Sequence, residues 1–427
     1  MRDEEEAVRD PARLVIPLAG ELRDTGSESE PYQLIDPDGV VVVEAALFFA
    51  ELLACCKPAT TLRSYGMDLL RWYRFLWALG ISWNRATRAE ARDFTRWFQV
   101  VDKPKKLHWR YERRGLTEAP VKSPKRPIPG TPNAITGKPT PGRKYAPRTI
   151  AHSETVLRTF YEFQRDEGAG PILNPFPQDR RHKPVRSNAH HNPMEPFRNE
   201  KRGRYRPSVP KQKPKRIPDE LFNELFVRLK YNRDRALLAF WVSTGARSEE
   251  LLTAQQKSAS PGEQLVGVIR KGSRDYQRLP ASPDAFVWLR LYQEELRRNG
   301  VPRGLCQPLW WTLRRPWRPF RYTAARAMFI RANALLGANW TLHDLRHTAS
   351  YRMARDKDLP LTDVQWVLGH SLLSTTQIYL PASEEEMITN LLAHHAREQQ
   401  RREKPVPAPP SPRYNPQSMN ILFGGPQ

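Results

Sequence analysis

The chain has 427 residues, enough for two domains by the usual length range, and it carries 69 Lys and Arg against 46 Asp and Glu, a net charge of +23. An excess that large points to an acidic polymer as partner, with nucleic acid first. Cys55, Cys56 and Cys306 form neither a metal pattern nor a disulfide framework, the acidic start MRDEEEAVRD is no signal peptide, and the most apolar early run, Val40 to Cys56, is too short and too charged to span a membrane.

These features fit a reducing cytoplasm. Residues 1–38 are polar, with Asp36-Pro37-Asp38-Gly39 at their end, and read as a mobile leader. Val40 to Cys56 has the pattern of an amphipathic helix, broken at Lys57-Pro58. A strong helix follows from Thr60 or Thr61, with Leu62, Tyr65, Leu69, Trp72 and Leu76 on one face and Arg63, Arg71 and Arg74 on the other. Arg88 to Val101 and Thr149 to Arg165 make two more helices. Between them, residues 102–148 hold 13 Lys/Arg, three acidic residues and nine prolines. No core can be built from that composition, so it reads as a basic loop or arm, in which Trp109 and Tyr111 suit stacking on nucleic acid. A second Pro-rich basic stretch, 178–216, also has 13 Lys/Arg and three acids and reads as an interdomain linker. Such charge contacts phosphates without sequence preference.

From Ile217 the pattern is compact again. Leu221, Leu225 and Leu229 space a helix, and the apolar run Ala236 to Val242 ends in Ser243-Thr244-Gly245-Ala246-Arg247. Gln264 to Arg270 alternates like a strand, Lys271 to Arg274 is a turn, and Tyr276 to Leu279 returns. Pro308 to Phe320, with Trp310, Trp311 and Trp317, is expected to pack beneath a site. Tyr322 to Leu336 is helical. Past residue 379, Ser383 and Glu386 form a capping box for a helix to about Arg397, with Met387, Leu391 and Leu392 on its apolar side. The tail 401–427 is Pro-rich and reads as mobile.

The stretch that organises the second half is TLHDLRHTASYRMARDKDLPLTDVQWVLGHSLLSTTQIYL, Thr341 to Leu380. Thr341 with Asp344 is a capping box, and His343 and Arg346 share one face of the helix it opens. Thr362 with Gln365 starts a second short helix, which Gly369 stops, leaving His370 just past its end. Tyr379 follows nine positions later, after the start signal Ser374-Thr375-Thr376. Each residue alone has an ordinary packing role. His343 and His347 also stand at a metal-ligand spacing, but the glutamate of H-E-x-x-H is missing and no third ligand is near.

Taken together, His343, Arg346, Leu368-Gly369-His370 and Tyr379 resemble the H-x-x-R, L-G-H and nucleophilic tyrosine of the tyrosine recombinases, the phage integrase family. TGARSEELL resembles that family's T-G-x-R-x-x-E-L, which supplies a catalytic arginine, here Arg247, and a glutamate that braces the site, here Glu250. The hairpin carries over Lys271, although Arg270 stands where the family has glycine; Lys257, Arg270 and Arg274 remain alternatives. TLRSYGMDLLRWYRFL and PRTIAHSETVLRTFYEF, followed by Asn174-Pro175, resemble the first and last long helices of its core-binding domain.

The resemblance implies a mainly α fold with a small antiparallel sheet: a helical core-binding bundle over 39–177, interrupted by the insertion 102–148, then the linker 178–216 and an α+β catalytic domain over 217–400. It implies double-stranded DNA as partner, a homotetramer on paired sites, an accessory excision factor, and no cofactor, metal or ATP. The residues expected at DNA phosphates are Arg63, Arg71, Arg74, Arg148, Lys211, Lys213, Lys215 and Arg216. It assigns Tyr379 as nucleophile, His343 as proton acceptor, Arg247 and Arg346 as the phosphate clamp, His370 as a hydrogen-bond donor to the phosphate, and Lys271 as the acid for the leaving 5′ oxygen. Two arginines suit an anionic diester, because planar bidentate donors hold its non-bridging oxygens. A type IB topoisomerase and a non-catalytic DNA-binding relative stay open as alternatives. Supercoil relaxation without strand exchange marks the first, and binding without covalent capture marks the second.

Overall fold

The computed structural model describes residues 10, 13–104, 129–179, 203–209, 215–379 and 391–397. It opens on an antiparallel hairpin, β1 (Glu21–Asp24) and β2 (Tyr32–Ile35), with Leu22 opposite Leu34. Part of the expected leader is therefore folded. Leu34 and Ile35 are buried, and Leu22 lies so close over Gly66 that a Cβ there would meet it at 2.6 Å. Strands of only four residues leave little periodicity to read.

Among the described residues four α-helices follow: α1 (Val43–Ala54), α2 (Ala59–Leu79), α3 (Arg88–Val100) and α4 (Pro147–Asp166). Thr87 and Glu90 cap α3 reciprocally, and Gly80 ends α2 in the left-handed conformation. Trp72, Phe75, Phe94, Phe160, Tyr161 and Phe176 fill the core they enclose. Rings of this kind bury roughly 150–250 Å² each and dominate such a core. The buried Trp72 Nε1 donates to Tyr161 Oη at 2.9 Å, so its polar edge is satisfied.

A second core runs from Ile217 to Leu345. Its helices are α5 (Asp219–Val227), α6 (Asn232–Thr244), α7 (Ser248–Leu252), α8 (Pro283–Arg298), α9 (Tyr322–Ala334), α10 (Leu342–Arg355), α11 (Leu361–Leu368) and α12 (Leu373–Gln377). A three-stranded antiparallel sheet, β3 (Ala259–Ser260), β4 (Leu265–Ile269) and β5 (Tyr276–Pro280), pairs in the order β3-β4-β5. The architecture is mainly α with small antiparallel sheets, as expected. Helix α8 and strand β3 are additions to the sequence reading. Helix α11 starts at Leu361 behind Pro360, so Thr362 lies inside it and its hydroxyl turns to Asp363. Trp310 and Trp311 are buried beneath the site, and Trp310 Nε1 donates to Leu251 O at 2.9 Å.

One contact between the halves bears on the site. Residues 131–140, within the expected basic arm, form a tight turn closed by Asn133 N to Lys138 O (2.8 Å) and Thr140 N to Thr131 O (2.9 Å). From this turn Asn133 Nδ2 donates to Gly337 O at 2.7 Å, the Thr136 hydroxyl meets Asn339, and Lys138 Nζ pairs with Asp344 at the start of α10.

Candidate active site

Helix α10 carries the centre. Thr341 N and Oγ1 both bond Asp344 Oδ2 (2.6 and 2.9 Å), which fixes the helix start and the phase of its faces. Arg346, one turn on, is 3% exposed. Its Nη1 donates to Gly245 O (2.7 Å) and its Nη2 to Leu368 O (2.6 Å) and His370 Nε2 (3.0 Å). Two helix ends thus aim carbonyls at one guanidinium. Gly245 closes α6 at φ 62°, and a Cβ there would stand 2.7 Å from Leu368. Gly369 closes α11 at φ 60° with the Arg270 guanidinium 3.1 Å from where a Cβ would be. Both turns need glycine.

Burial, then the charge of Arg247, lowers the Arg346 pKa to about 10. Its hydrogen-bond partners are carbonyls and an imidazole, not a carboxylate. A buried cation held this way favours an anion beside it. Arg247, half-buried, faces the same space and pairs with Glu250 (Nη1 to Oε1, 2.9 Å). Burial alone would raise the Glu250 carboxyl. The amides of Lys271 and Arg247, the Arg247 side chain and the Arg270 charge hold it below its usual value. Glu250 therefore ties Arg247 and the hairpin together.

His370 is fixed by its own amide on Gln365 O (3.1 Å) and by Gln365 Nε2 on its carbonyl (3.0 Å). Its Nε2 accepts from Arg346, so the ring proton sits on Nδ1 and donates to Thr376 Oγ1 at 2.9 Å. Burial and the neighbouring arginines lower its pKa to about 4. His343 lies at the open rim with its ring against His347, centroids 4.4 Å apart. Desolvation against its neighbours and the Arg346 charge lower its pKa. Tyr379 is 5% exposed, and its hydroxyl meets His347 Nδ1 at 2.7 Å. Burial raises the phenol pKa, while Ser350 and Arg346 act to lower it.

Beside this centre, the β4–β5 hairpin and α11–α12 bound an open cleft of about 1350 Å³, lined by Arg247, Arg270, Gly272, Trp366, His370 and Thr375 among others. Its size and openness suit an extended polymer better than a small molecule. Lys271 stands exposed at its rim, pairing with Glu249 at 2.9 Å. Of the alternatives to Lys271, Arg270 is buried and spent on Glu250, Gln277 and the carbonyls of Trp366 and Val367. Lys257 lies against Cys306, outside the cleft lining.

The structure thus gathers Arg247, Glu250, Lys271, His343, Arg346, His370 and Tyr379. Sequence reasoning missed His347 as a partner of Tyr379, Thr376 as a partner of His370, and Lys138. Among the described residues no group of three His, Cys, Asp or Glu joins His343 and His347. On the N-terminal half, Arg63 and Arg148 are exposed. Arg71 pairs with Asp68 and lies over Phe98 and Tyr145. Arg74 donates to the carbonyls of Leu18, Ala19 and Gly20, so it holds the N-terminal segment instead of facing a ligand. Lys215 and Arg216 are exposed; Lys211 and Lys213 lie outside the described residues.

Residues 216–386 match the model of the phage integrase family. Over that segment the chain is similar to the tyrosine recombinases. Tyrosine recombinase XerD of Xanthomonas campestris pv. campestris is 28% identical over 269 residues, 60% of this chain and 74% of that protein. XerD of Yersinia pestis is 30% identical over 206 residues, 45% of this chain and 65% of that protein. The chain spans 55% of XerD from Pseudomonas putida, at 31% identity. XerH site-specific recombinase, in its post-cleavage complex with palindromic difH substrate, shares the fold with a TM-score of 0.50 at 15% identity, over 82% of this chain and 83% of that one.

Lys138 contributes a cation beside the two histidines of α10 and lowers both their pKa values. Lys138→Met removes that cation and frees the Asp344 carboxylate, and both changes favour an imidazolium. The His343 and His347 titration midpoints, followed by NMR of the ring protons, are expected to move upward. A downward or zero shift would put the 131–140 turn elsewhere in solution.

Proposed function

We propose that this chain cuts and rejoins double-stranded DNA at specific sites through a covalent link to Tyr379. The observation that carries this reading is Arg346. It is a buried guanidinium held by helix-end carbonyls, with Arg247, His370 and Tyr379 around it. Arg247 and Arg346 would hold the non-bridging oxygens, and His370, in the tautomer that carries its proton on Nε2, would donate to the phosphate. Tyr379 Oη attacks phosphorus, and the leaving 5′ oxygen takes a proton from Lys271, which the exposed hairpin can bring over it. The link is a 3′-phosphotyrosine that keeps the energy of the broken bond, so rejoining calls for neither ATP nor a metal.

The first core, over 39–177, and the catalytic part, over 217–400, would close on opposite faces of a duplex, joined by the linker 178–216. Arg63, Arg148, Lys215 and Arg216 would meet backbone phosphates, with Arg71 at the edge of the same face. Work on chromosomal or element DNA in the cytoplasm follows, with an excision factor as an accessory partner. Among the described residues no helix is long and apolar enough to cross a membrane.

The test uses a duplex selected from a random library on the full chain, remade with a 5′-bridging phosphorothiolate at successive positions. A protein–DNA band that survives detergent and is lost to protease is expected at one position per strand, equally in EDTA. No such band at any position overturns the reading. Loss of the band in EDTA alone would bring back the zinc pair at His343 and His347.

Exchange between two duplexes needs four cuts and hence four subunits, with a Holliday junction between the two rounds of cutting. Residues 391–397 are helical, with Leu391 and Leu392 56% and 63% exposed; Met387 lies outside the described residues. A cavity of about 540 Å³ between α5, α6, α8 and α10 has an apolar floor of Phe222, Phe226, Val242, Trp288 and Met353, edged by Asp284, Arg352 and Asp356, that could receive such a stripe from a second protomer. Truncation after Pro381 should leave binding to one site nearly intact. It should remove the four-subunit complex and strand exchange in gel-shift and junction-resolution assays. Synapsis by the truncated chain would rule the exchanged helix out.

A further inference from the structure

His343 is the residue assigned by resemblance to take the proton from Tyr379, yet the geometry gives that contact to its neighbour. Tyr379 Oη lies 2.7 Å from His347 Nδ1, with ring centroids 5.7 Å apart. His347 stands one turn beyond His343 and is half-buried, whereas His343 lies at the open rim and touches the His347 ring edge-on. Arg346 precedes His347 on α10 and faces the phosphate side, so the same turn presents both the clamp and a base.

Resting on the recombinase reading above, we propose that His347 is a catalytic residue that receives the Tyr379 proton as the nucleophile attacks. In the cutting step the Tyr379 O–H bond breaks and its proton moves to His347 Nδ1. A bond forms between Oη and phosphorus, and the bond from phosphorus to the 5′ oxygen breaks. That oxygen takes a proton from Lys271. Rejoining runs the same transfers backward, so protons and charge balance over the cycle. His343 is left free at the rim to face the phosphate.

Burial and the charge of His343 hold the His347 pKa at about 4, so the ring is neutral at pH 7 and can accept a proton. The alternative is a purely positioning contact, or a latch that parks the phenol until DNA arrives. Asparagine separates these, because its side-chain oxygen reaches the place of Nδ1 and keeps the hydrogen bond without taking a proton.

His347→Asn and His347→Ala are compared with wild type for the single-turnover rate of covalent capture. The duplex is the selected one, with either an ordinary or a 5′-bridging sulfur linkage at the cut. Both variants should bind this DNA normally and capture about 10²–10⁴-fold more slowly, the usual range for a lost general base. Their rates should climb with pH as the phenol ionises. The defect should persist on the sulfur substrate, whose leaving group needs no proton, whereas that of Lys271→Ala should largely vanish there. Asparagine restoring the rate to within a few-fold overturns the proposal in favour of positioning, and a faster rate overturns it in favour of a latch. If alanine lowers the melting temperature, the asparagine variant decides. A wild-type chain that captures nothing overturns the recombinase reading and this proposal with it; wild-type capture with unchanged variants overturns this proposal alone.

Discussion

Tyr379→Phe should bind DNA as wild type does and form no covalent complex at all. The ring is 5% exposed, and phenylalanine keeps its packing. What goes is the hydroxyl and its contact with His347, a net loss of about 0.5–1.5 kcal/mol for a single hydrogen bond. The fold should therefore survive while the hydroxyl proposed to attack is gone, which separates chemistry from binding. The measurement is covalent capture of the phosphorothiolate duplex beside a gel shift on the same preparation. A retained covalent band would move the nucleophile, with Tyr351 next in line. That residue is committed elsewhere: the Arg216 and Arg355 guanidinium groups lie 4.3 and 5.1 Å from its ring centre.

Much of the centre was legible because its determinants are local. His343 and Arg346 share a face by helical spacing, Asp344 closes a capping box with Thr341, and Gly369 ends α11 with positive φ. Each follows from residues within one turn. What stayed hidden depends on contacts that no short window holds. Lys138 reaches Asp344 across 206 positions, from a stretch whose composition suggests an unpacked arm. Arg270 reads as a possible acid at the end of a strand, but the fold closes α11 over it and spends its donors on Val367 and Glu250. Arg74 sits on the basic side of α2 and is taken by the carbonyls of a segment that reads as a leader. His347 was visible only as half of a metal pair. Its partner, Tyr379, is 32 positions away, in the turn past α12.

Arg346→Ala should reduce covalent capture by about 10²–10³-fold or more, the usual cost of removing one oxyanion-stabilising donor. The reason is its position: three donor contacts anchor the guanidinium at the meeting of α6, α10 and α11. The charge it is proposed to bring to the phosphate is already desolvated in the free protein. Substitution also leaves Gly245 O and Leu368 O without their donor, about 1–3 kcal/mol for buried groups so stranded. In a unit of this size that amounts to a few degrees in melting temperature per kcal/mol, so rates should be compared well below the transition. Arg346→Lys separates the two effects. An ammonium keeps the charge but cannot serve two carbonyls, His370 and a phosphate with a planar fork. Lysine should recover part of the stability and little of the rate. If alanine at 346 captures DNA within a few-fold of wild type, the buried guanidinium is a structural tie between three helices, and the phosphate must be held by Arg247 alone.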